Sequence, residues 1–435
     1  MGDSIKGTLA QLYRSQYSAL VAPLIRIMGS FERAEDVVQD AFAEALASWE
    51  TKGLPREPVA WLRRVAKNKA IDLYRRNASW SDKAKQLADG ELEAFEMPWN
   101  GCELPDDELR LLFTCCHPSL APAAQIALTL RTVCGFTTEE AARSLLMQPT
   151  TLQQRVVRAK RKIDIANIPY VVPSLEELPS RLATVLKTVY LVFSEGYSAT
   201  TGDSLIRQEL CEESIRLARH LRKLLADESG PEALLALMLL HHSRSPARTD
   251  DAGDLITLEE QNRGLWDRKL IDEALPMVER CLVAKPLSSY AVEAAISALH
   301  ARAQRAADTD WPQIAALYGV LLGRSGGNPV VALNAAVSVA MSGKLEEGLR
   351  RLDDLQRAGT LSTYHLLPAA RGDILRRLGR VSESREAYQT ALSLLSNLSE
   401  RRFIERRLAE LHDSSKKVEK TPSAVDSSLS SSSGQ

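Results

Sequence analysis

Apolar residues recur at helical spacing from the first part of the chain onward. Over residues 31–49 the apolar positions step by four, three and four residues, at Val38, Phe42, Ala45 and Trp49. This spacing stacks them on one side of an α-helix. The remaining sides carry the acids Glu32, Glu35, Asp36, Asp40 and Glu44. The pattern predicts an amphipathic helix with an acidic surface.

A second predicted helix follows closely and carries the opposite charge. Gly53, Pro55 and Pro58 interrupt the first helical pattern, because glycine and proline disfavour a helix interior. Helical spacing resumes over residues 59–76. The cations there are Arg63, Arg64, Lys67, Lys69, Arg75 and Arg76, against the single acid Asp72. An acidic helix therefore precedes a basic helix within the first unit, which we place at residues 8–77.

Residues 78–105 are predicted to form an acidic linker, since prolines and a glycine break the helical pattern there. A second helical unit follows over residues 106–165. Its last part reads as helix, short turn and helix, with Thr138 as the expected N-cap of the first helix. Up to Ile163 the second helix carries no acid and five cations, Arg155, Arg158, Lys160, Arg161 and Lys162.

Helical spacing continues through a third unit, predicted over residues 178–412. The segments 343–347 and 379–383 have a similar pattern. In each, a glycine separates two helical patterns and an acidic residue follows shortly after it. This internal echo predicts stacked helical hairpins in an α-solenoid-like, tetratricopeptide-like (TPR-like) arrangement. The Ser- and Lys-rich tail, residues 413–435, is predicted to be disordered.

Composition narrows the fold class to all-α. Aromatic residues make up 5% of the chain, and Ala, Leu, Arg and Glu dominate, which excludes an all-β sandwich or barrel. The longest apolar run, residues 233–240, is far shorter than the roughly 20 residues that a membrane helix needs. The chain begins with no signal-peptide pattern, and its six cysteines show no pairing pattern. The expected location is the cytoplasm, with no membrane partner.

Motifs of enzymes are missing from the sequence. It contains no G-x-S-x-G, Walker loop, H-E-x-x-H or G-x-G-x-x-G, so we expect no enzyme, no catalytic residues and no cofactor. The stretch Cys115-Cys116-His117 has three possible interpretations, which are a metal site, a redox-sensing thiol and helix packing. Adjacent cysteines do not easily chelate one ion, and no CxxC spacing accompanies them. Packing is therefore favoured, and no metal site is expected.

Charge is segregated, although the formal net charge is only −1. The basic helix that ends the helix–turn–helix pattern suits the DNA major groove. Side chains near its start are expected to reach base edges, Arg155 by pairing with guanine; they are Thr150, Thr151, Gln153, Gln154 and Arg155. The later cations Arg158, Lys160 and Arg161 are expected to meet phosphates. A solvated cationic face is the alternative for a lone basic helix, and the helix–turn–helix context favours DNA.

The earlier basic helix, residues 59–76, also has the chemistry of a nucleic-acid surface. Cations follow a backbone, while aromatic rings and amides stack on or pair with unstacked bases. Its candidate DNA-binding residues are Trp61, Arg63, Arg64, Lys67, Asn68, Lys69, Arg75 and Arg76. Trp61 and Tyr74 have a second interpretation as core residues, which is favoured for each ring considered alone.

The order, spacing and charge of these segments resemble a known family. The first unit resembles region 2 of a sigma-70 family RNA polymerase sigma factor, of the extracytoplasmic-function (ECF) type, in AEDVVQDAFAEAL and EPVAWLRRVAKNKAIDLYRR. The second resembles region 4 in LAPAAQIALTLRTVCGFTTEEAARSLLMQPTTLQQRVVRAKRKI, although Leu146 stands where the turn usually has glycine. The third resembles the extension of a subgroup with a long C-terminal TPR-like domain, in segments such as LPSRLATVLKTVYLVFSEGYS.

The resemblance implies a sigma factor that binds core RNA polymerase, recognises −10 and −35 promoter DNA and promotes transcription initiation. It implies that the acidic helix binds the clamp helices of the β′ subunit through Asp36, Gln39, Asp40 and Glu44, with Val38 and Phe42 packed inside. The basic helix and the loop 53–58 would melt and capture the −10 strand. Region 4 would read the −35 duplex next to the β flap. The C-terminal domain would regulate activity, with a protein or peptide as its partner.

Two other functions stay open at this point. One is a stand-alone helix–turn–helix regulator that acts without core polymerase. The other is a TPR-like scaffold whose N-terminal helices only pack. A repressor has no need for an acidic helix followed by a basic melting helix, and in a scaffold the cationic helices would repel one another without an anionic partner.

Overall fold

The computed structural model describes residues 2–78, 104–145, 147–174, 176–197, 206–395 and 397–419. The predicted linker at 78–105 and tail at 413–435 fall largely outside these residues, and so does Leu146. The all-α prediction is confirmed, because every extended element named in the described part is a helix and strand pairing is limited to isolated bridges such as that between Thr249 and Leu255. None of the described helices is both long and apolar enough to cross a bilayer.

The chain divides into two compact units, Met1–Gly196 with Gln208–Glu232 and Tyr197–Arg207 with Ala233–Gln435. The helices up to the boundary are α1 (Gly2–Met28), α2 (Phe31–Lys52), α3 (Pro58–Ala78), α4 (Leu104–Cys115), α5 (Pro122–Leu128), α6 (Thr138–Ser144), α7 (Pro149–Ile165), α8 (Leu178–Tyr197), α9 (Gln208–Leu224) and α10 (Ser229–His242). Helices α1–α3 are called the first block, and α4–α7 the second block.

The apolar stripe predicted for the acidic helix forms the core of the first block. Val38, Phe42, Ala45 and Trp49 are all buried on α2, which packs on α1 and α3. The helix begins after Ser30, whose hydroxyl accepts a hydrogen bond from the Arg33 amide at 3.4 Å. It ends where Gly53 adopts a φ of 80°, a conformation that glycine adopts without steric cost. The glycine and prolines therefore separate α2 from α3 as predicted.

In the second block the helix–turn–helix lies at the predicted place, but the N-cap of its first helix, α6, is one residue earlier than predicted. The Glu140 amide donates to the Thr137 hydroxyl at 3.1 Å, and the Thr137 amide donates to the Glu140 carboxylate at 2.9 Å. This reciprocal pair is a capping box. Thr138, the expected N-cap, is the first residue of α6, because a glutamate stands three residues after Thr137 and not three residues after Thr138.

Helix α7 begins with Pro149 and buries one stripe of side chains, Leu152, Val156, Ala159 and Ile163. It ends at a turn in which Asn167 has a φ of 46°. The Ile168 amide donates to the Ile163 carbonyl at 3.0 Å, and the Asn167 amide to the Asp164 carbonyl at 3.1 Å. This pair of bonds is a Schellman motif, and it sends the chain back across the first unit.

Helices α8 and α9 pack inside the first unit. The Arg181 guanidinium donates to the Phe113 carbonyl at 2.8 Å, and the Thr188 hydroxyl donates to the Gln125 side chain at 3.2 Å. On α9, His220 pairs with Glu108 of α4. Helices α8 and α9 are thus joined to α4 and α5 of the second block by specific polar contacts.

The second unit continues with α11 (Arg268–Val283), α12 (Ser289–Arg302), α13 (Trp311–Arg324), α14 (Pro329–Met341), α15 (Leu345–Ala358), α16 (Leu366–Arg377), α17 (Val381–Leu394) and α18 (Leu398–Glu419). Each of these helices packs on the next one along the chain. Gly343 and Gly379, which carry the internal echo, have positive φ values of 94° and 74° and precede α15 and α17. Helix α18 continues past the predicted start of the tail at 413, because no glycine or proline interrupts it before Pro422.

Candidate nucleic-acid interface

The four predicted polymerase-binding residues share the outer surface of α2. Asp36, Gln39, Asp40 and Glu44 are all exposed, while Val38 and Phe42 are buried on the opposite side. The buried stripe fixes the helix against α1 and α3, so the polar side chains are presented on a rigid support. Such an arrangement can receive a partner surface that carries cations.

Helix α3 holds its candidate DNA-binding residues at different depths. Arg64 and Asn68 are exposed, whereas Trp61, Arg63, Lys67 and Lys69 are half-buried. The Trp61 ring lies edge-on to the buried Trp49 ring, with centroids 5.4 Å apart, so part of Trp61 belongs to the core. Lys69 Nζ lies 2.9 Å from a carboxylate oxygen of Glu44. Arg75 and Arg76 lie on the helix, and their side chains are outside the described set.

Helix α7 presents most of its predicted DNA-reading side chains to solvent. Thr150, Thr151, Gln153, Gln154, Arg158 and Arg161 are exposed, and Arg155 and Lys160 are half-buried. The exposed positions Thr151, Gln154 and Arg158 lie opposite the buried stripe of the helix, because they are offset from it by about half a helical turn. This surface matches what insertion into a major groove requires.

One predicted DNA contact is joined to the acidic helix. Lys160 Nζ lies 2.6 Å from a carboxylate oxygen of Glu35, and the two side chains are only 18% and 12% exposed. Beside this ion pair lies a cleft of about 440 Å³ between α2 and α7. Its lining includes Asp36 and Gln39 from the predicted polymerase surface and Gln153, Lys160 and Arg161 from the predicted DNA surface.

A second contact between the two blocks involves a buried carboxylate. Asp107, at the start of α4, is 1% exposed and accepts hydrogen bonds from Arg26 at 2.9 Å and Arg110 at 2.5 Å. The Tyr170 hydroxyl lies 3.0 Å from the Ala22 carbonyl and 3.2 Å from the Asp107 carbonyl. Burial raises the pKa of Tyr170 well above its usual value, so the hydroxyl stays protonated, and its one hydrogen is shared between the two carbonyls.

Glu108 forms a third contact at the same place. It accepts a hydrogen bond from the Ser18 hydroxyl at 3.0 Å and pairs with His220. Burial alone would raise the pKa of Glu108, but the bonds from His220 and Ser18 bring that pKa below its usual value. The ionised carboxylate therefore connects α1, α4 and α9.

The cysteine stretch has the properties of a packed core. Cys115, Cys116 and Cys134 are at most 2% exposed, and burial raises the pKa of Cys116 to about 11. The thiolate, which is the reactive and metal-binding form, is therefore disfavoured at neutral pH. Among the residues that the structure describes, no group of three His, Cys, Asp or Glu side chains is arranged to hold a metal ion.

Sequence reasoning did not find the contacts that Glu35 and Tyr170 make between the blocks. Glu35 is 125 residues from Lys160, and Tyr170 is 148 residues from Ala22. The spacing of residues within one helix cannot predict contacts between residues so far apart in the sequence. The signal available for Tyr170 was an aromatic residue just past the end of a polar helix, and it indicated only that this residue could be buried.

Comparison with known families matches three parts of the chain. Residues 12–79 match the family described as Sigma-70 region 2, and residues 110–163 match Sigma-70, region 4. Residues 181–282 match a family of unknown function, DUF6596.

Comparison with individual proteins gives one relative of similar length and several shorter matches. The chain is 39% identical over 393 residues to the uncharacterized protein R00370 of Rhizobium meliloti, which covers 89% of this chain and 92% of that protein. It is 26% identical over 175 residues to the probable ECF RNA polymerase sigma factor SigI of Mycobacterium tuberculosis, covering 40% of this chain and 59% of the relative. It is 28% identical over 157 residues to the ferric citrate uptake sigma factor FecI of Escherichia coli, covering 35% and 86% respectively.

Proposed function

We propose that this chain, which belongs to the sigma-70 family as an ECF-like factor, binds core RNA polymerase through α2 and reads promoter DNA through α3 and α7. Its general role is in transcription initiation, and its general partners are core polymerase and promoter DNA. The family is non-enzymatic, so the chain supplies recognition while the polymerase carries out the chemistry.

The exposed stripe of Asp36, Gln39, Asp40 and Glu44 carries the polymerase-binding part of the proposal. Carboxylates at the rim of an interface guide encounter and fix the relative position of the partners. We assign this stripe to the clamp helices of β′, and the second block to the β flap.

The two basic helices receive different tasks. Helix α3 and the loop 53–58 would capture the −10 strand after melting, with exposed Arg64 and Asn68 nearest to the nucleotides. Helix α7 would enter the major groove of the −35 duplex, where Thr151, Gln154 and Arg155 reach base edges and Arg158 meets phosphate.

The direct experiment is run-off transcription with purified core polymerase on a pool of random promoter sequences, followed by sequencing of the enriched templates. We expect enrichment of two separated elements when both proteins are present, and none with core polymerase alone. The Asp40→Arg variant serves as a control for the polymerase contact. Enrichment of one duplex element by the chain alone, with no gain in transcription, would contradict this function and favour a stand-alone helix–turn–helix regulator.

We also propose that the C-terminal helical part, residues 178–412, is a TPR-like regulatory domain that responds to a protein or peptide partner. Stacked helical hairpins form extended concave surfaces suited to such partners. The test is a chain that ends at Asp227, which keeps α8 and α9 because they pack inside the first unit. We expect transcription in cells to change strongly at matched abundance, and equal output under every growth condition would contradict the regulatory role.

A further inference from the structure

Three arginines alternate with two aromatic rings in the second unit. The guanidinium carbon of Arg248 lies 3.7 Å from the centre of the Tyr197 ring. That of Arg244 lies 5.8 Å from the Tyr197 ring and 6.0 Å from the Trp266 ring. That of Arg263 lies 5.0 Å from the Trp266 ring. We call these five residues the arginine ladder, and all of them fall within residues 181–282, the segment that matches a family of unknown function.

The two outer arginines of the ladder fix the loop between α10 and α11 to its neighbours. Arg263 donates hydrogen bonds to the carbonyls of His300 and Ala303, at the end of α12, over 2.6 and 2.8 Å. Arg248 donates to the Tyr197 carbonyl at the end of α8, and it is 8% exposed. Packing of this loop therefore accounts for both outer arginines.

Arg244, in the centre of the ladder, has donors that packing does not use. Its guanidinium donates to the Tyr197 hydroxyl at 2.6 Å, but a guanidinium has five N–H donors. Its Nε atom is buried without a hydrogen-bond partner, although the residue as a whole is only half-buried. Among the residues that the structure describes, neither Arg244 nor Arg263 has an ion-pair partner. Donors are therefore available at Arg244 to an anion that enters from solvent.

The acid that acts on the ladder is already neutralised by another cation. Asp308 acts on Arg263 through its charge, but its carboxylate lies 2.8 Å from the guanidinium of Arg305. Burial and the charge of Arg244 lower the pKa of Arg263, which means that the surroundings disfavour its charged form. Like charges held in a partly buried place destabilise the folded chain unless an anion compensates them.

Two histidines beside the ladder add polar atoms but no charge. Burial and the charges of Arg244 and Arg263 lower the pKa of His300 to about 3. Burial and the charge of Arg244 also hold the pKa of His241 well below its usual value. Nδ1 of His300 and Nε1 of Trp266 have no hydrogen-bond partner among the described residues, and these residues are only 7% and 3% exposed. Since buried polar atoms usually have a partner, the place has unused hydrogen-bonding capacity.

We propose that the arginine ladder binds a small molecule through a carboxylate or phosphate group, which Arg244 holds while Arg248 and Arg263 add positive charge. Guanidinium groups bind both of these oxyanions through paired N–H donors. The ligand has to be small, because Arg248 and Trp266 are at most 8% exposed and a polypeptide or a nucleic-acid strand cannot surround them. This site goes beyond the proposed function in transcription and does not depend on it.

The proposal is tested by isothermal titration calorimetry on the full chain, with inorganic phosphate and citrate as the probes. Both are titrated in chloride buffer of matched ionic strength, so that a general effect of salt is removed. We expect saturable binding of one ion per chain for at least one probe, and the stronger probe indicates which oxyanion the site prefers. No saturable binding of either probe up to about 10 mM, where a site with a Kd of about 1 mM would be mostly filled, would overturn the proposal.

Arg244→Gln should weaken binding of the probe at least tenfold, because it removes the central guanidinium. Arg244→Lys should bind with intermediate affinity, since it keeps the charge but loses the paired donors. Arg350→Gln is the matched control, because it makes the same charge change at an exposed position of α15, and it should bind as the unmodified chain does. Equal weakening in Arg244→Gln and Arg350→Gln would overturn the site. Circular dichroism on the same samples shows that each variant is folded.

Tryptophan fluorescence locates the anion without substitution of an arginine. Trp266 lies beside Arg244 and Arg263, so we expect the emission of the unmodified chain to change with the same midpoint as the calorimetric titration. Trp266→Phe should lose this change, whereas Trp61→Phe, in the first unit, should keep it. Emission that stays constant at saturation, or a change that persists in Trp266→Phe, would place the anion away from the ladder and overturn the proposal. This measurement decides the question even if Arg244→Gln fails to fold.

Discussion

Helices α7 and α18 are equally rich in arginine and lysine, yet the structure uses their charges in opposite ways. On α7 the segment 155–162 reads RVVRAKRK, and on α18 the segment 401–407 reads RRFIERR. Arg401 pairs with Glu405 at 3.3 Å, Arg406 with Asp254 at 3.8 Å and Arg407 with Glu410 at 2.9 Å. Within the described residues, Arg155, Arg158 and Arg161 have no ion-pair partner.

The difference lies in the neighbouring carboxylates and not in the number of cations. On α18, Arg406 and Arg407 are neutralised within the second unit by Asp254 and Glu260, and these pairs join the helix to the loop that carries the two carboxylates. On α7, Arg158 and Arg161 face solvent and remain available to an external anion. Lys160 pairs with Glu35, and Lys162 donates to the Ser119 carbonyl. A count of basic residues along a helix therefore does not identify a DNA-binding surface until the carboxylates that fold against it are known.

The largest expected effect concerns α2, the acidic helix that carries Glu35, the ion-pair partner of Lys160. Asp40→Arg should abolish association with core polymerase while leaving the fold intact, because it reverses a charge in the centre of an exposed stripe. Pull-down with core enzyme and circular dichroism on the same samples measure both effects. Glu50→Arg, on the same helix but outside the stripe, is the control. Full retention of polymerase by Asp40→Arg would remove α2 from the interface, and the same holds for Asp36→Arg.

Within α7 we expect Arg155 and Arg158 to contribute to DNA binding in different ways. Arg155→Ala should cost about 1–3 kcal/mol of promoter binding and relax the preference at one −35 position. Arg158→Ala should weaken binding to all sequences alike and reduce the slope of log affinity against log salt by about one. Binding titrations over a salt series, on several duplex sequences, separate the two. The same loss of sequence preference in both variants would refute this division.

On α18 the corresponding substitution should affect folding and leave DNA binding unchanged. Arg407 is 14% exposed in its side chain, pairs with Glu260 and Glu410 and stacks over the Phe403 ring. Arg407→Ala should lower the stability of the second unit by about 2 kcal/mol, as is typical for loss of charge-assisted hydrogen bonds. Urea unfolding and duplex titration on one sample measure both properties. If the free energy of duplex binding falls by more than the free energy of unfolding, the contrast between α7 and α18 is contradicted.

The smallest expected effect concerns Glu293, a largely buried acid of the second unit. Burial raises the pKa of Glu293 to about 7, above its unfolded value near 4.5, so the folded state binds the proton more tightly. The free energy of unfolding should therefore fall as pH rises from about 4.5 through 7, by about 1–2 kcal/mol once partial exposure is allowed for. Glu293→Gln should remove this part of the pH dependence in urea unfolding at pH 5 and pH 8. An unchanged profile would contradict the raised pKa.

Elements of the fold that depend on neighbouring residues were predictable from the sequence. The apolar stripe of α2 and the break between Gly53 and Pro58 fix the first two helices of the predicted interface within a few residues. The helix–turn–helix was also predictable, except that the pairing of Thr137 with Glu140 had to be weighed against the adjacent Thr138. Local spacing determines each of these features, because capping and amphipathicity act within one or two helical turns.

The relation between the blocks was not predictable in the same way. It depends on Lys160 meeting Glu35, on Tyr170 reaching the Ala22 carbonyl and on Asp107 accepting a hydrogen bond from Arg26. Each contact joins elements far apart in sequence, and several acids of α2 have the same local pattern as Glu35. The sequence thus predicted which side chains carry charge and which helices bear them, while tertiary packing decides which charges are neutralised.

The glycine turns before α15 and α17 have a consequence for how the second unit can change its length. Gly343 and Gly379 lie at equivalent places in successive helical pairs, and each helix there packs on the next one along the chain. A helical pair that contacts only its neighbours can be duplicated or deleted whole, but here Asp254 and Glu260 pair with Arg406 and Arg407 of α18. We therefore expect homologous chains to keep the number of helical pairs between this loop and α18, because a lost or added pair would separate these charges.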